Sequence, residues 1–166
     1  MDAETIIRQL ELERLPHEGG WFRRIHTDSA KLSPDVHGEP RAMGSGIYFL
    51  LTRDDFSAMH RLTQSVETFH WHAGDPVQML LLYPDGSGET RQLGIDLDAG
   101  QSPISIVPRG VWQGSRLADN AAHGFALLTV MVTPEFLWDD FALLGRDALT
   151  AQYPAWADEI ARLTRT

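Results

Sequence analysis

Residues 57–74 of the chain, SAMHRLTQSVETFHWHAG, bring together side chains that can transfer protons or bind a metal ion. Three histidines, His60, His70 and His72, fall in this stretch, and Glu67 lies between the first and the second. Imidazole and carboxylate groups form acid/base pairs, and they are also ligands of transition metals. The segment therefore predicts a metal site or a metal-free acid/base pocket, and a polar strand rich in histidine is the third interpretation.

The spacing of these residues indicates that the three histidines do not form one cluster. The stretch has the pattern of two β-strands joined by a turn, and successive side chains on a strand point to opposite faces. In the second strand Glu67 and Phe69 share one face, whereas His70 and His72 share the other. If Glu67 points inward with His60, His70 and His72 point outward.

The composition limits the classes of function. A chain of 166 residues with 43% hydrophobic residues is expected to form one globular domain, residues 1–166. It has no cysteine, which excludes disulfides, thiolate zinc sites and cysteine nucleophiles. A net charge of −9 argues against a nucleic-acid partner. No segment has the pattern of a secretory signal or a membrane span, so we expect a cytoplasmic protein with no membrane partner.

Hydrophobic periodicity predicts a β-rich centre between helices. Residues 2–14 are expected to form an amphipathic helix, and residues 28–45 a long polar loop that acts as a lid or contacts a partner. Short apolar or alternating runs then follow at intervals typical of a sandwich or barrel. These runs are residues 46–52, 56–62, 66–73, 77–84, 89–95, 102–108 and 123–134.

The tail, residues 140–164, has a helical pattern. Its Trp156, Ile160 and Leu163 fall on one helical face, which we expect to pack on the barrel. Asp139 and Asp140 suit the first turn of this helix, where the helix dipole favours negative charge.

The first motif of the cupins, a superfamily of small jelly-roll barrels, has the form Gly-x5-His-x-His-x3–4-Glu-x6-Gly, and residues 57–74 resemble it. His60 stands at its first histidine, Glu67 at its carboxylate and Gly74 at its last glycine. Leu62 takes the place of the second histidine. Two of the usual metal ligands of a cupin are thereby retained in this motif.

Residues 108–113 resemble the second cupin motif, Pro-x-Gly-x2-His. Pro108 and Gly110 match, and Gln113 stands where the motif has its histidine. The resemblance implies an all-β-dominated fold, the double-stranded β-helix or jelly-roll barrel of the cupins, with an N-terminal helix and C-terminal helices. It also implies a central pocket for a small molecule.

One little-characterised cupin branch, formerly catalogued as a domain of unknown function, is similar to this chain nearly end to end. Three departures stand out: Val66 replaces an aspartate, His72 an aromatic residue and Glu135 a glycine. Members of the branch form homodimers and are compared with dTDP-sugar epimerases. The similar segments are HEGGWFR (17–23), IYFLL (47–51), SAMHRL (57–62), GDPVQMLLL (74–82), LGIDLDAGQSPISIVPRGVWQ (93–113), LLTVMVTPEFLWDDFAL (127–143) and LTAQYP (149–154).

A metal-dependent cupin enzyme is one interpretation of the pocket. His60, Glu67 and Gln113 would be the ligands of Mn, Fe, Ni or Zn. An amide oxygen is a weak ligand for these metals, and Leu62 offers no donor atom.

We favour a metal-free pocket without a cofactor, and the chemistry that it suits is that of an epimerase or isomerase acting on a sugar-nucleotide-type ligand. His60 would take a proton from a carbon beside a carbonyl, Glu67 would orient its ring, and Tyr48 would return the proton. Arg23 would bind a phosphate or carboxylate at the mouth. The other ligand-binding residues predicted are Gln113, Trp21, Phe22, Phe69 and Trp71.

A non-catalytic binding protein is the alternative class, with His60 and Glu67 as a satisfied buried pair. In that interpretation Trp112, Trp138 and Trp156 are core or helix-packing anchors. We also expect a twofold homodimer, because strands 77–83 and 125–132 offer more apolar length than one small barrel face needs.

Overall fold

The computed structural model describes residues 2–33 and 40–165. It contains thirteen strands among these residues, and the prediction of a β-dominated fold with helices near both ends is confirmed. The strands are β1 Glu13–Arg14, β2 Trp21–Thr27, β3 Lys31–Leu32, β4 Arg41–Ala42, β5 Ser45–Thr52, β6 Ser57–Leu62, β7 Val66–Gly74, β8 Val77–Leu82, β9 Gly88–Leu93, β10 Ile104–Val107, β11 Trp112–Leu117, β12 Phe125–Thr133 and β13 Phe141–Leu143.

Two antiparallel sheets enclose the core. The larger has the strand order β1-β2-β5-β12-β7-β10, and the smaller has the order β13-β6-β11-β8-β9. Large apolar side chains from both inner faces, such as Phe49, Phe69, Met79 and Leu128, are almost fully buried between them. Non-sequential strands lie side by side, so each sheet forms only when distant segments of the chain meet.

Three α-helices and two 3₁₀ turns cover the outside. Helix α1 (Ala3–Gln9) packs on the outer face of the larger sheet, and helices α2 (Arg146–Gln152) and α3 (Ala157–Arg162) pack on the smaller. None of the described helices is long and apolar enough to cross a membrane. The 3₁₀ turns are Trp138–Asp140 and Pro154–Trp156.

The N-terminal helix is shorter than predicted. Asp2 caps it by accepting a hydrogen bond from the Thr5 amide at 2.8 Å, and it ends at Gln9. Glu11 then adopts a left-handed conformation with φ of 53°, which a helix does not accommodate. The chain continues as β1 instead, paired with β2.

The prediction of a loop over residues 28–45 is wrong for Lys31–Leu32, Arg41–Ala42 and Ser45, which form strands. Strands β3 and β4 pair there, and Ser45 already begins β5. Residues 34–39 lie outside the described part of the chain. The pairing is anchored because the polar side chain of Arg41 is buried and has fixed partners.

The tail is also not helical from its start. Phe141–Leu143 pairs with β6 as an added edge strand, so Leu143 lies opposite His60. A short apolar run suits either a strand or a helix, and pairing with the free edge of β6 decides between them here. Ile160 and Leu163 are buried against the smaller sheet as predicted, with Trp156 packed beside them.

A buried ion pair fixes the segment that leads into β13. The guanidinium of Arg41 donates to the Asp140 carboxylate and to the Glu135 carbonyl, and it also donates to Ser65 Oγ at 3.1 Å. Asp140 therefore serves as the partner of Arg41 and not as the start of a helix. Arg41 joins β4, the turn before β7 and residues 135–140 into one unit.

Replacing Arg41 is expected to destabilise the protein strongly. Arg41→Met leaves the Asp140 charge buried without a partner, which typically costs about 3–5 kcal/mol. The matched control is Arg23→Met, because Arg23 forms an exposed pair with Glu11 that is worth about 0–1 kcal/mol. Urea unfolding followed by circular dichroism measures both, and equal losses in the two variants would contradict the assignment.

Candidate active site

A cavity of about 220 Å³ lies against strands β2, β5, β7 and β12 of the larger sheet. Its walls are mostly apolar, and among the described residues that line it Glu18, Glu67 and Arg24 carry the charged or titratable side chains. The remaining lining residues are Leu15, Phe22, Ser45, Gly46, Ile47, Val130, Val132, Phe136, Leu137 and Trp138. The charged groups therefore stand out against an apolar background, where electrostatic interactions are stronger than in water.

His60 and Glu67 meet behind the cavity, as the strand parity predicts. His60 Nε2 lies 3.7 Å from Glu67 Oε2, and the His60 side chain is only 2% exposed. Gln113 on β11 is paired with His60 on β6, and its amide donates to Glu67 Oε2. The cupin-motif positions of His60, Glu67 and Gln113 thus converge in one buried cluster.

Glu18 completes this cluster and was not among the residues predicted from the sequence. It lies in the turn between β1 and β2, and its Oε2 is 3.8 Å from His60 Nε2. Its Oε1 accepts a hydrogen bond from Ser57 Oγ at 2.7 Å. The imidazole of His60 is therefore flanked by two carboxylates from separate segments of the chain.

The two carboxylates control the charge of His60. Burial of the ring opposes protonation, but attraction to Glu18 and Glu67 and the hydrogen bond to the Ala58 carbonyl outweigh it and raise the His60 pKa to about 9. The ring Nδ1 lies 2.8 Å from that carbonyl and donates to it, which directs Nε2 towards the carboxylates. Burial also raises the Glu18 pKa, and Glu67 adds to this effect while His60 and Ser57 oppose it.

The aromatic residues singled out in the sequence lie partly in the cavity and partly in the core. Phe22 lines the cavity. Phe69 is instead buried in the hydrophobic core, and the partly buried Trp71 packs against it while its indole donates to the Asp75 carbonyl at 3.0 Å. Trp138 lines the mouth and is 48% exposed, so its assignment as a core anchor is wrong. Trp112 is buried as expected.

Three predicted site residues point away from the cavity. Trp21 and Tyr48 pack with α1 on the outer face of the larger sheet. Arg23 lies on that face too, 5.7 Å above the Tyr48 ring and paired with Glu11. Arg24, the next residue, reaches the cavity mouth instead. The predicted donor Tyr48 and anion anchor Arg23 therefore do not fit their assigned positions.

His70 and His72 lie on the outer face of β7, as predicted. His72 is exposed and its Nε2 lies 2.6 Å from Thr129 Oγ1. His70 sits opposite Ile104 of the edge strand β10. Neither histidine approaches the cluster formed by Glu18, His60 and Glu67.

The donor set does not fit the metal that cupin barrels commonly bind. Leu62 offers no donor atom, and Gln113 uses its amide to bind Glu67. In the described part of the chain no group of three or more histidine, aspartate or glutamate side chains is arranged to hold a metal ion.

The charge on His60 predicts a pH dependence of stability. A pKa raised from 6.5 to about 9 on folding stabilises the folded state fully below pH 6.5, and the contribution is lost as the pH rises through about 9. We expect urea unfolding to show this decline in the wild type and not in His60→Gln. His26→Gln, at an exposed site on β2, is the control and should retain the decline. A variant at His60 with the same pH profile as the wild type would contradict the charged state.

Comparison with known proteins agrees with this architecture. A family model described as Cupin superfamily (DUF985) matches residues 4–144. The uncharacterized protein YML079W of Saccharomyces cerevisiae (strain ATCC 204508 / S288c) is 31% identical over 148 residues, which cover 80% of this chain and 71% of the yeast protein. The predicted cupin branch is thus confirmed by sequence.

Two solved structures are similar over nearly the whole chain. A hypothetical protein from Leishmania major superimposes with a TM-score of 0.92 at 28% identity, and the match covers 100% of both chains. Protein SO0799 from Shewanella oneidensis superimposes with a TM-score of 0.88 at 37% identity, covering 99% of this chain and 98% of that one. The chain belongs to the Cupin superfamily (DUF985) family, and its two sheets form a cupin barrel.

Proposed function

We propose that this protein binds a small carbonyl-containing ligand in the barrel cavity and catalyses metal-free proton transfer on it, as an isomerase or epimerase does. The observation that supports this proposal is the buried imidazole of His60 held between two carboxylates that line the cavity. A carboxyl group with a raised pKa is suited to exchange protons near neutral pH.

The cavity favours a ligand with a compact body and an anionic group. Its volume of about 220 Å³ lies below the ~300–1,000 Å³ of pockets that enclose drug-sized molecules. A sugar-sized group fits inside, with Trp138 at the mouth as a surface for stacking. Arg24 at the mouth suits a phosphate or carboxylate, so the nucleotide part of a nucleotide sugar would remain outside.

The placement of the titratable groups favours isomerisation over epimerisation. Inverting a carbon requires a proton donor on the face opposite to the base. Among the described lining residues the two carboxylates are both next to His60, and Tyr48 is on the other side of the sheet. A proton shift between neighbouring carbons on one face of the ligand requires no second donor.

A non-catalytic ligand-binding protein is the competing proposal. It is favoured by the burial of His60 and by the hydrogen bond from Gln113 that occupies Glu67 Oε2. A thermal-shift screen of nucleotide sugars and sugar phosphates, followed by proton NMR of the hits in D₂O, separates the two. Exchange of carbon-bound hydrogen supports the enzyme, and binding without exchange supports the binder.

The anion anchor gives a direct test of the ligand class. We expect Arg24→Gln to weaken the binding of the screened hits by about 10- to 100-fold, because a hydrogen bond to a charged group contributes about 1.5–3 kcal/mol. Arg23→Gln is the matched control and should leave binding unchanged, since Arg23 lies on the outer face. Isothermal titration calorimetry measures both, and equal affinities for Arg24→Gln and the wild type would contradict the assignment.

We also propose that the chain forms a homodimer through the outer face of β10. The apolar strand β8 does not supply the surface, because helices and core cover both of its faces. Ile104 and Ile106 on the edge strand are instead 47% and 55% exposed. Beside them the buried His70 Nδ1 has no hydrogen-bond partner. Exposed apolar side chains on a strand edge favour pairing with another chain.

Light scattering tests the dimer. We expect the wild type to have twice the monomer mass of 18.6 kDa at micromolar concentration, and Ile106→Asp to shift it towards 18.6 kDa. Ile95→Asp, at an exposed apolar residue outside the sheets, is the control and should retain the dimer. A wild-type mass near 18.6 kDa would refute the proposal.

A further inference from the structure

We propose that Glu18 is the catalytic acid/base that contacts the ligand, and that His60 is a positioning residue that acts through Glu18. This inference rests on the proposed function and names its reacting group. It replaces the sequence-based assignment of His60 as the base that contacts the ligand directly.

The geometry favours the carboxylate over the imidazole. Glu18 lines the cavity, whereas the ring of His60 lies behind it, stacked on Phe141 with ring centroids 5.2 Å apart. Ser57 Oγ donates to Glu18 Oε1, and Oε2 receives no hydrogen bond from the described residues. Glu67 also lines the cavity, and because the Gln113 amide holds its Oε2, its Oε1 is the oxygen left for contact with the ligand. Glu18 therefore presents an oxygen that a ligand can reach.

The turn that carries Glu18 is rigidly built. His17 has a φ of 66°, and the Glu18 amide donates to the Pro16 carbonyl at 2.7 Å, so the backbone is held in a conformation that non-glycine residues rarely adopt. The Glu18 carbonyl accepts hydrogen bonds from the Ala58 amide and from Arg165 Nη1, both at 2.8 Å. Strained residues held by several partners occur preferentially at functional sites.

Close packing behind Glu18 restricts the turn further. Gly19 has a φ of +102°, and a Cβ there would lie 2.4 Å from the Phe56 carbonyl oxygen. Gly20 has a φ of +79°, and a Cβ there would lie 2.7 Å from the Phe49 ring. The two glycines allow the backbone to approach the barrel closely, which directs the Glu18 carboxylate towards His60.

The charges around Glu18 suit both directions of proton transfer. Burial and the Glu67 charge raise its pKa, while the His60 imidazolium, Ser57 and Arg165 lower it. The net pKa is above the ordinary value of a glutamate, which brings the acid and base forms closer in abundance near neutral pH. His60 thus lowers the proton affinity that burial gives Glu18, and it does so without contacting the ligand.

The reaction follows from this arrangement. Glu18 Oε2 takes a proton from the carbon beside the ligand's carbonyl, and the electron pair of that C–H bond forms the double bond of an enediolate. The neutral Glu18 then returns the proton to the former carbonyl carbon. The proton of the adjacent hydroxyl passes to the former carbonyl oxygen by way of Glu67, so the net change is a shift of the carbonyl by one carbon.

Esterification by diazoacetamide tests the assignment without a known substrate. A protonated carboxyl gives its proton to the diazo carbon, dinitrogen leaves, and the carboxylate oxygen forms the ester bond. Peptide mapping by mass spectrometry is expected to find Glu18 labelled faster than the exposed Glu11 at neutral pH, since a raised pKa gives the Glu18 carboxyl a larger protonated fraction. Labelling at Glu67 with Glu18 unmodified would overturn the proposal.

The influence of His60 is tested by the pH profile of the same labelling. Because the imidazolium lowers the Glu18 pKa, we expect the midpoint to move to higher pH in His60→Gln. Ser57→Ala, which removes the hydrogen bond to Oε1, is a second variant with the same expected direction. Midpoints unchanged in the folded variants, judged by circular dichroism, would refute the action of His60 on Glu18.

The outcome separates this inference from the proposed function. Labelled Glu18 together with no hydrogen exchange in any screened compound supports the reactive carboxyl and refutes proton-transfer catalysis on those compound classes. Hydrogen exchange in D₂O that persists in Glu18→Gln refutes Glu18 as the acid/base while it supports the proposed function. Loss of that exchange in Glu18→Gln, with ligand affinity retained, supports both.

Discussion

The attraction between the His60 imidazolium and two carboxylates governs the interior of this barrel. An isolated buried charge is strongly unfavourable, so each of these groups requires the others to be present. Glu67 comes from β7, His60 from β6 and Glu18 from the turn before β2. The three segments must therefore reach their final positions together. If one of them is displaced, a buried charge is left without a partner of opposite sign.

The apolar lining of the cavity and the segment of residues 135–140 surround the cluster of Glu18, His60 and Glu67. Aliphatic and aromatic side chains exclude water from most of the cavity, which strengthens the charge interactions at its base. Arg41 holds residues 135–140, which contain part of the cavity lining, through Asp140 and the Glu135 carbonyl. Trp138 is carried by this segment and packs edge-on against Phe136 and Phe141.

Motif spacing and strand parity predicted the part of the site that lies on regular strands. His60, Glu67 and Gln113 follow from the cupin motifs, and the outward direction of His70 and His72 follows from alternation on β7. Both arguments depend only on residues that are near in sequence or fixed by a repeated pattern. Predictions from motif spacing and strand alternation therefore agree with the structure where the backbone is a regular strand.

The failures have a different physical origin. In Trp21-Phe22-Arg23-Arg24 the alternation places Phe22 and Arg24 on one face, but the sequence does not tell which face turns inward. Glu18 lies in an irregular turn that has no periodicity, and only the tertiary fold brings it to His60. The apolar run of β13 suits a helix or a strand, and the neighbouring edge of β6 decides between them.

The hydrogen bond between Arg165 and the Glu18 carbonyl spans 147 positions of the chain. The same guanidinium contacts the Asp55 carboxylate and the Phe56 carbonyl, so one side chain fastens the turn to the start of β6. Contacts between such distant residues form slowly, because a long loop must close first. During synthesis on the ribosome, the barrel strands emerge well before Arg165, and the turn that bears Glu18 acquires its final support only after the helices have docked.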